Sequence, residues 1–364
     1  MGYKERRRKR RIKKAIFLGI IVLLIYLYLF APIHKAPGID KNSEWYVNDL
    51  YMSNQYYYEN LLDEEEKQIY KEIFEKYNNM EEEINIDENI KTVSKVWDAL
   101  ICDHPEMINI TSFKYYDYRD SVKKIPKYLT KSSFDLNLKV RKMQREIVKI
   151  LKEIDGKSDF EKEKYIYEWL GKKSNYGSGF FSSDQSAYTA FTLMSNTVCS
   201  GYGKAAQILL NNCGIESMIN INSNHLWNTV KIEEEYYFFD ATLTSNTKEN
   251  ISGNVAYMGL NQNKYTSDYE ILYPSILPDV SGTKYNYFDY YGLTLTYSDD
   301  VLEEIRERIQ KTEFEKLELK FTNPELAYKK IQENEDYLGI RSVASYYNSD
   351  GYCKNNGVIM VVKK

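Results

Sequence analysis

The stretch that decides the fold is residues 197–242, TVCSGYGKAAQILLNNCGIESMININSNHLWNTVKIEEEYYFFDAT. After Cys199 the apolar residues recur with helical spacing, and Gly214 follows the end of this pattern. Residues 225–232 and 236–240 then alternate as strands do, on either side of a short acidic turn. The stretch therefore predicts a helix followed by a β-hairpin.

Cys199 falls where the predicted helix begins. The first N–H groups of a helix have no partner within the helix, and they carry the positive end of its dipole. A thiolate is stabilised in this setting, and the same N–H groups can bind an oxyanion. This position makes Cys199 a candidate nucleophile, although a lone cysteine in an apolar helix is more often a packed core residue.

The hairpin register decides whether a base and an acid meet. If Ile232 pairs with Glu235, Trp227 faces Asp240, and His225 lies on the same face as Asp240 as its diagonal neighbour. A slip of one residue would separate them. With this register, Cys199, His225 and Asp240 predict a thiol-based acyl-transfer or hydrolytic site.

Three motifs carry a family resemblance: VCSGYGKAAQILLNNCGI, NHLWNTVKI and YYFFDAT, with Cys199, His225 and Asp240 spaced by 26 and 15 residues. They resemble the transglutaminase-like superfamily, in its bacterial secreted or membrane-anchored branch. The resemblance implies an α+β fold with a papain-like core, in which Cys199 is the nucleophile, His225 the general base and acid, and Asp240 the group that orients the imidazole. Gly203, Leu226 and Leu243 depart from the usual family pattern.

Two further questions about the site stay open. Gln185 and Tyr188, just upstream, are candidates for a second oxyanion donor, although ordinary loop packing explains them equally well. The thioester formed at Cys199 could pass to water, giving a peptidase or amidase, or to an amine, giving a transglutaminase. The alternative to an enzyme is a binding or scaffold module that keeps this fold without turnover.

The remaining cysteines and histidines are expected to be structural. Cys213 fits packing at the end of the helix, and Cys102 and Cys353 fit buried thiols or one disulfide. His104 precedes Pro105 and is expected to end a helix. No spacing typical of a zinc or EF-hand calcium site occurs, so we predict neither a metal nor a cofactor.

The N-terminal sequence predicts a membrane anchor. Residues 1–14 carry nine bases and one acid, and residues 15–31 form an uncharged apolar run at the short end of the spanning range. The positive-inside rule then places residues 1–14 in the cytoplasm and the bulk of the chain outside the cell. A cleaved signal peptide and a basic nucleic-acid-binding arm are the weaker alternatives.

Net charge restricts the partners. The chain carries −4 and residues 1–14 carry +8, so the rest carries −12. Such an acidic region argues against nucleic-acid binding. The predicted substrate is a peptide or protein at the cell surface, including peptides of the cell wall.

Length and pattern predict several domains. Two motifs, YYYENLLDEEEKQIYKEI and DHPEMI, resemble the lead-in domain of the same bacterial branch. A capping box at Asp63 and Glu66 predicts the start of a lead-in helix. Tyrosine-rich strands are predicted near residues 285–297. The predicted organisation is a cytoplasmic segment (1–14), a transmembrane helix (15–31), a linker (32–43), a mostly helical lead-in domain (44–158), a transglutaminase-like core (159–280) and a small α+β tail (281–364).

Overall fold

A computed structural model describes residues 3–30, 46–47, 50–51, 57–81, 84–86, 88–118, 121–128, 132–177, 185–192, 196–222, 225–242, 258–260, 271–312, 315–345 and 357–364. The predicted linker 32–43, Leu243 and Cys353 lie outside these residues. The described residues mix helices and strands, which confirms the predicted α+β class.

The helices are α1 (Tyr3–Phe30), α2 (Glu64–Asn78), α3 (Ile90–Asp103), α4 (Ser133–Glu153), α5 (Asp159–Lys173), α6 (Ala187–Ala190), α7 (Cys199–Asn212), α8 (Tyr287–Tyr290), α9 (Val301–Lys311), α10 (Pro324–Gln332) and α11 (Glu335–Leu338). The strands are β1 (Tyr46–Val47), β2 (Leu50–Tyr51), β3 (Ile84–Ile86), β4 (Ile110–Tyr118), β5 (Ser121–Tyr128), β6 (Asn175–Tyr176), β7 (Asn196–Thr197), β8 (Ser217–Ile221), β9 (Leu226–Ile232), β10 (Glu235–Phe239), β11 (Met258–Leu260), β12 (Lys316–Lys320), β13 (Ile340–Ser345) and β14 (Val358–Lys363).

The base-rich start and the apolar run form one helix, α1. Across the part of the chain that the structure describes, no helix is both long and apolar enough to cross a membrane. The predicted span over residues 15–31 is therefore not supported.

The lead-in region contains both helices and a sheet. The predicted capping box starts α2: the Asp63 side chain accepts from the Glu66 N–H, and the Glu66 side chain accepts from the Asp63 N–H. His104 ends α3, as Pro105 predicts. The prediction of a mostly helical region missed the antiparallel sheet of order β3-β5-β4. Sheet pairing depends on distant partners, which the local sequence pattern does not show.

The central part is an antiparallel sheet of order β11-β10-β9-β8 with helices packed against it. Its hydrophobic core, called here the central cluster, joins buried side chains of α4, α5 and α7 to those of β9 and β10. Members include Ile147, Leu170, Leu209, Trp227 and Phe239. Helix α4 thus packs with the residues that follow it, on the other side of the predicted boundary at 158.

The lead-in region and the central sheet share a second core, the lead-in cluster. It contains Tyr58, Val96, Leu100 and Cys102 from the lead-in region together with Ile219, Ile221 and Leu226 from β8 and β9. The Tyr58 hydroxyl donates to the Ile219 carbonyl at 2.8 Å, and the Tyr273 hydroxyl donates to Asp98 at 3.1 Å. The lead-in region is therefore packed directly on the sheet.

The tail has its own core, the tail cluster, built around Ile305, Leu319, Ile331, Ile359 and Val361. Its sheet has the order β12-β14-β13.

The tyrosine-rich strands predicted near residues 285–297 are wrong. This segment forms the short helix α8 instead, because the Asn286 side chain caps it by accepting from the Phe288 N–H. Only Leu295 in this segment makes a bridge, with Phe321.

Candidate functional site

Cys199 is the first residue of α7. Val198 before it is extended, with φ −107° and ψ 179°, and its side chain does not cap the helix. The Cys199 thiol is free and partly buried. The N–H groups of the first turn of α7 and the positive end of its dipole thus lie beside the Cys199 thiol.

The β9–β10 hairpin has the register on which the site depends. Glu235 pairs with Ile232 next to the turn, and Phe239 pairs with Asn228 further from it. The same register, continued by one residue away from the turn, sets Asp240 opposite Trp227. Glu233 takes the left-handed conformation, with φ 54°, that a two-residue turn needs. The predicted register is confirmed, and it brings His225 and Asp240 onto one face.

His225 is held by three neighbours. Its Nε2 lies 2.8 Å from Asp240 Oδ2, its backbone N–H donates to Asn222 Oδ1 at 2.6 Å, and its ring stacks on Trp227 with centroids 5.6 Å apart. Since Asp240 takes Nε2, the remaining ring nitrogen, Nδ1, is the one available to the Cys199 thiol, with which His225 is hydrogen-bonded.

Asp240 is buried, and both of its oxygens are used. Oδ2 faces the imidazole, and Oδ1 accepts from the Thr242 backbone N–H at 3.0 Å. A carboxylate fixed in this way cannot rotate away from the ring, so it holds the imidazole in one orientation.

The charge state of His225 follows from these contacts. Burial opposes the imidazolium, but the charge and hydrogen bond of Asp240, followed by the interaction with Cys199, raise the pKa of His225 to about 10. The imidazole is therefore protonated at neutral pH. An imidazolium beside a thiol favours the thiolate.

Residues 148–241 match the transglutaminase-like superfamily. This part of the chain is a transglutaminase-like domain. A search of curated proteins found no match to the chain. The matched residues run from α4 to the residue after Asp240, so the domain includes the three residues that form the hydrogen-bonded chain.

The two oxyanion candidates of the transglutaminase-like domain lie in different surroundings. Gln185 is exposed, and its backbone carbonyl accepts from the Ser200 hydroxyl at 3.3 Å, which sets it beside the start of α7. Tyr188 packs on the central cluster, and the ammonium groups of Lys139 and Lys142 lie 5.9 and 5.6 Å from its ring centroid. Gln185 is the better placed of the two to reach a substrate at Cys199.

Two departures from the family pattern fit each other in this domain. A Cβ atom added at Gly203 would lie 2.1 Å from Leu226 Cδ2. The side chain of Leu226 therefore fills the space that a larger residue at position 203 would need.

Other cysteines of the chain differ from Cys199. Cys102 is a free, buried thiol, which is the first of its two predicted alternatives, a buried thiol or a disulfide. Cys213 is a free thiol at the end of α7. Burial raises the pKa of Cys213 to about 12. No cluster of three or more potential metal ligands occurs among the residues that the structure describes.

Sequence reasoning missed three residues that matter around the site: Asn222, Thr242 and Lys204. Asn222 and Thr242 act through short-range backbone hydrogen bonds to His225 and Asp240, which no periodic pattern shows. Lys204 is buried inside α7. No pattern in the sequence indicates this burial, because Lys204, Gln207 and Asn211 recur with helical spacing, as an exposed polar face would.

Proposed function

We propose that the protein is a cysteine enzyme that cleaves or transfers amide acyl groups, with Cys199 as nucleophile, His225 as general acid and base, and Asp240 as the group that orients the imidazole. The observation that carries the proposal is the hydrogen-bonded series Cys199–His225–Asp240 at the start of a helix.

The first half-reaction forms a thioester. The Cys199 sulfur attacks the carbonyl carbon of an amide, and the negative charge on the carbonyl oxygen is stabilised by the N–H groups at the start of α7. As the C–N bond breaks, the His225 imidazolium gives its proton to the leaving amine. Because His225 is already protonated at neutral pH, the resting site holds the proton that this step needs.

The second half-reaction releases the acyl group. Neutral His225 takes a proton from water or from an amine, which attacks the thioester carbonyl, and the C–S bond breaks. Water gives a carboxylic acid and an amine acceptor gives a new amide. Both paths return the Cys199 thiolate and the imidazolium, so the same residues support a peptidase, an amidase or a transglutaminase.

The test is alkylation of the purified full chain with iodoacetamide, with peptide mapping to separate the cysteines. We expect Cys199 to react at pH 7 at least about tenfold faster than Cys213, because the thiolate is the nucleophile and burial holds the Cys213 thiol protonated. In the His225→Gln variant this advantage should be lost.

His104 provides the matched control. It forms a second buried His–carboxylate pair, with its Nδ1 2.7 Å from Glu106 Oε1, in the lead-in region. His104→Gln should leave the alkylation of Cys199 unchanged. A Cys199 that reacts no faster than Cys213 in the unmodified protein would contradict the enzyme and favour the alternative, a binding or scaffold module that keeps the fold without turnover.

The substrate and the location remain predictions. We propose a peptide or protein at the cell surface, with wall peptides included, because the three motifs around Cys199, His225 and Asp240 resemble the bacterial secreted or membrane-anchored branch of the superfamily. Protease treatment of intact cells tests this, since an internal chain would be protected from digestion.

A further inference from the structure

Lys204 is a buried cation in the helix that begins with Cys199. Residues 201–212 of α7 are all buried, and Lys204 is the single charged residue of this helix. Lys204 is only 8 % exposed. Lysine is rarely buried to this extent without a partner of opposite charge.

Among the residues that the structure describes, no carboxylate offsets this charge. Within the described part of the chain, no ion pair or hydrogen bond joins the Lys204 ammonium to another residue, and the groups that interact with it electrostatically are the thiols of Cys102 and Cys199. An unpaired buried ammonium is unfavourable, so a thiolate at either position would stabilise it.

Of the two thiols, Cys102 is the less able to carry a negative charge. Cys102 is fully buried in the lead-in cluster, and burial, followed by the nearby carboxylates of Asp103 and Asp98, raises the pKa of its thiol well above the ordinary range. Cys199 is partly buried at the edge of the same cluster. Cys199 is therefore the less buried of the two thiols that interact with the Lys204 ammonium.

We propose that Lys204 is a positioning residue that acts on the reaction through Cys199, its buried ammonium stabilising the thiolate from inside the helix. This inference rests on the proposed function, because it assumes that the Cys199 thiolate is the reactive form. His225 and Lys204 then act on one sulfur from two elements, the hairpin and the helix.

The charge of Lys204 sets the pH range of this effect. Burial lowers the pKa of Lys204 to about 8, although Cys102 and then Cys199 act in the opposite direction. The ammonium is present below pH 8 and is lost above it. Its contribution to the thiolate is therefore largest at neutral pH and disappears as the pH rises past this value.

The experiment is the pH profile of Cys199 alkylation in the full chain, from pH 5 to 10, for the unmodified protein and for Lys204→Met. We expect the Lys204→Met profile to move to higher pH and its rate at pH 7 to fall by about threefold to tenfold, since a thiolate loses a nearby cation. Above pH 9 the two rates should converge. Gln207→Met, a buried change one turn further along α7, is the control that should not move the profile.

A reciprocal measurement leaves position 204 unchanged. The titration of Lys204 is followed by the ¹³Cε signal of labelled lysine, assigned with Lys204→Arg, in the unmodified protein and in Cys199→Ala. Loss of the thiolate should move the titration of Lys204 to lower pH. This measurement tests the interaction between Lys204 and the Cys199 thiolate even if Lys204→Met does not fold.

The outcomes separate this inference from the proposed function. An unmodified Cys199 that reacts no faster than Cys213 overturns the proposed function and the inference with it. A reactive Cys199 whose pH profile is the same in a folded Lys204→Met, or a Lys204 titration unaffected by Cys199→Ala, overturns the role of Lys204 alone.

Discussion

Gly203 and Leu226 both depart from the family pattern, and they pack against each other. Gly203 lies in the helix that carries Cys199, and Leu226 follows His225 in the chain. Leu226 is 5 % exposed and belongs to the lead-in cluster with Ile219 and Ile221, so its side chain has little room to move. The glycine leaves the space that this leucine occupies. The helix and the hairpin can therefore approach closely beside the site.

Because of this pair, a Gly→Ala change at position 203 should have the opposite effect on stability from the usual one, and this can be measured. Glycine inside a helix is less stable than alanine by about 1 kcal/mol, so Gly203→Ala would ordinarily stabilise the protein. Here we expect it to lower the free energy of unfolding by about 1–3 kcal/mol, because its Cβ would overlap Leu226.

In a Leu226→Ala background the overlap is gone, and the same change should be neutral or stabilising. Urea unfolding of the four proteins of this cycle measures the coupling between the two positions. Additive effects would show that Leu226 simply moves aside.

At the scale of elements, local chemistry made some boundaries predictable. The capping box of α2 and the proline after His104 are contained within a few residues, and both elements end or begin where these residues predict. The β9–β10 register could be predicted because a two-residue turn and one buried face leave few alternatives. The meeting of His225 and Asp240 follows directly from that register.

Features that depend on distant residues were not predictable in this way. The contact between His225 and Cys199 joins a hairpin to a helix, and the burial of Lys204 depends on what packs around α7. The family resemblance supplied the first of these, but no pattern in the sequence supplied the second. The tyrosines near α8 fit a strand by composition, yet a local cap at Asn286 decided for a helix.

Helix α5 carries an acid that should weaken the fold as pH rises. Glu163 is completely buried, and neither carboxyl oxygen has a hydrogen-bond partner among the described residues. Burial raises its pKa well above the ordinary 4.5. The folded state therefore holds the neutral acid at pH values where the unfolded state ionises. Stability is unaffected below pH 4.5 and is lost progressively above it.

Glu163→Gln removes this dependence, since glutamine keeps the shape and cannot ionise. We expect it to be more stable than the unmodified protein at pH 7 and equal to it at pH 4. The difference should grow by at most about 1.4 kcal/mol per pH unit, the slope for one proton. Thermal unfolding at several pH values measures it, with the exposed Glu153→Gln as control. A constant difference across this range would mean that Glu163 is ionised in the folded protein.

At the scale of the whole molecule, the site depends on the lead-in region as well as on the matched domain. Cys199 and Leu226 both pack in the lead-in cluster, whereas the tail cluster contains residues from 295 onward only. The reactive thiol is thus supported from outside residues 148–241.

Two core truncations should separate these contributions. Leu100→Ala in the lead-in cluster and Ile331→Ala in the tail cluster remove side chains that are equally buried, and each should destabilise its surroundings by about 2–5 kcal/mol. Only Leu100→Ala should change the rate of Cys199 alkylation, because only its cluster touches that thiol. Equal effects of the two variants on this rate would show that the tail supports the site as well.

The order of strands in the tail has a consequence for synthesis on the ribosome. Strand β14 lies between β12 and β13 and is made after both of them. Neither earlier strand pairs with the other among the described residues, so each has an open edge until residues 358–363 leave the exit tunnel. Residues 148–241 emerge much earlier. The part that carries Cys199 can therefore fold before the tail sheet forms, because the middle strand of that sheet is synthesised last.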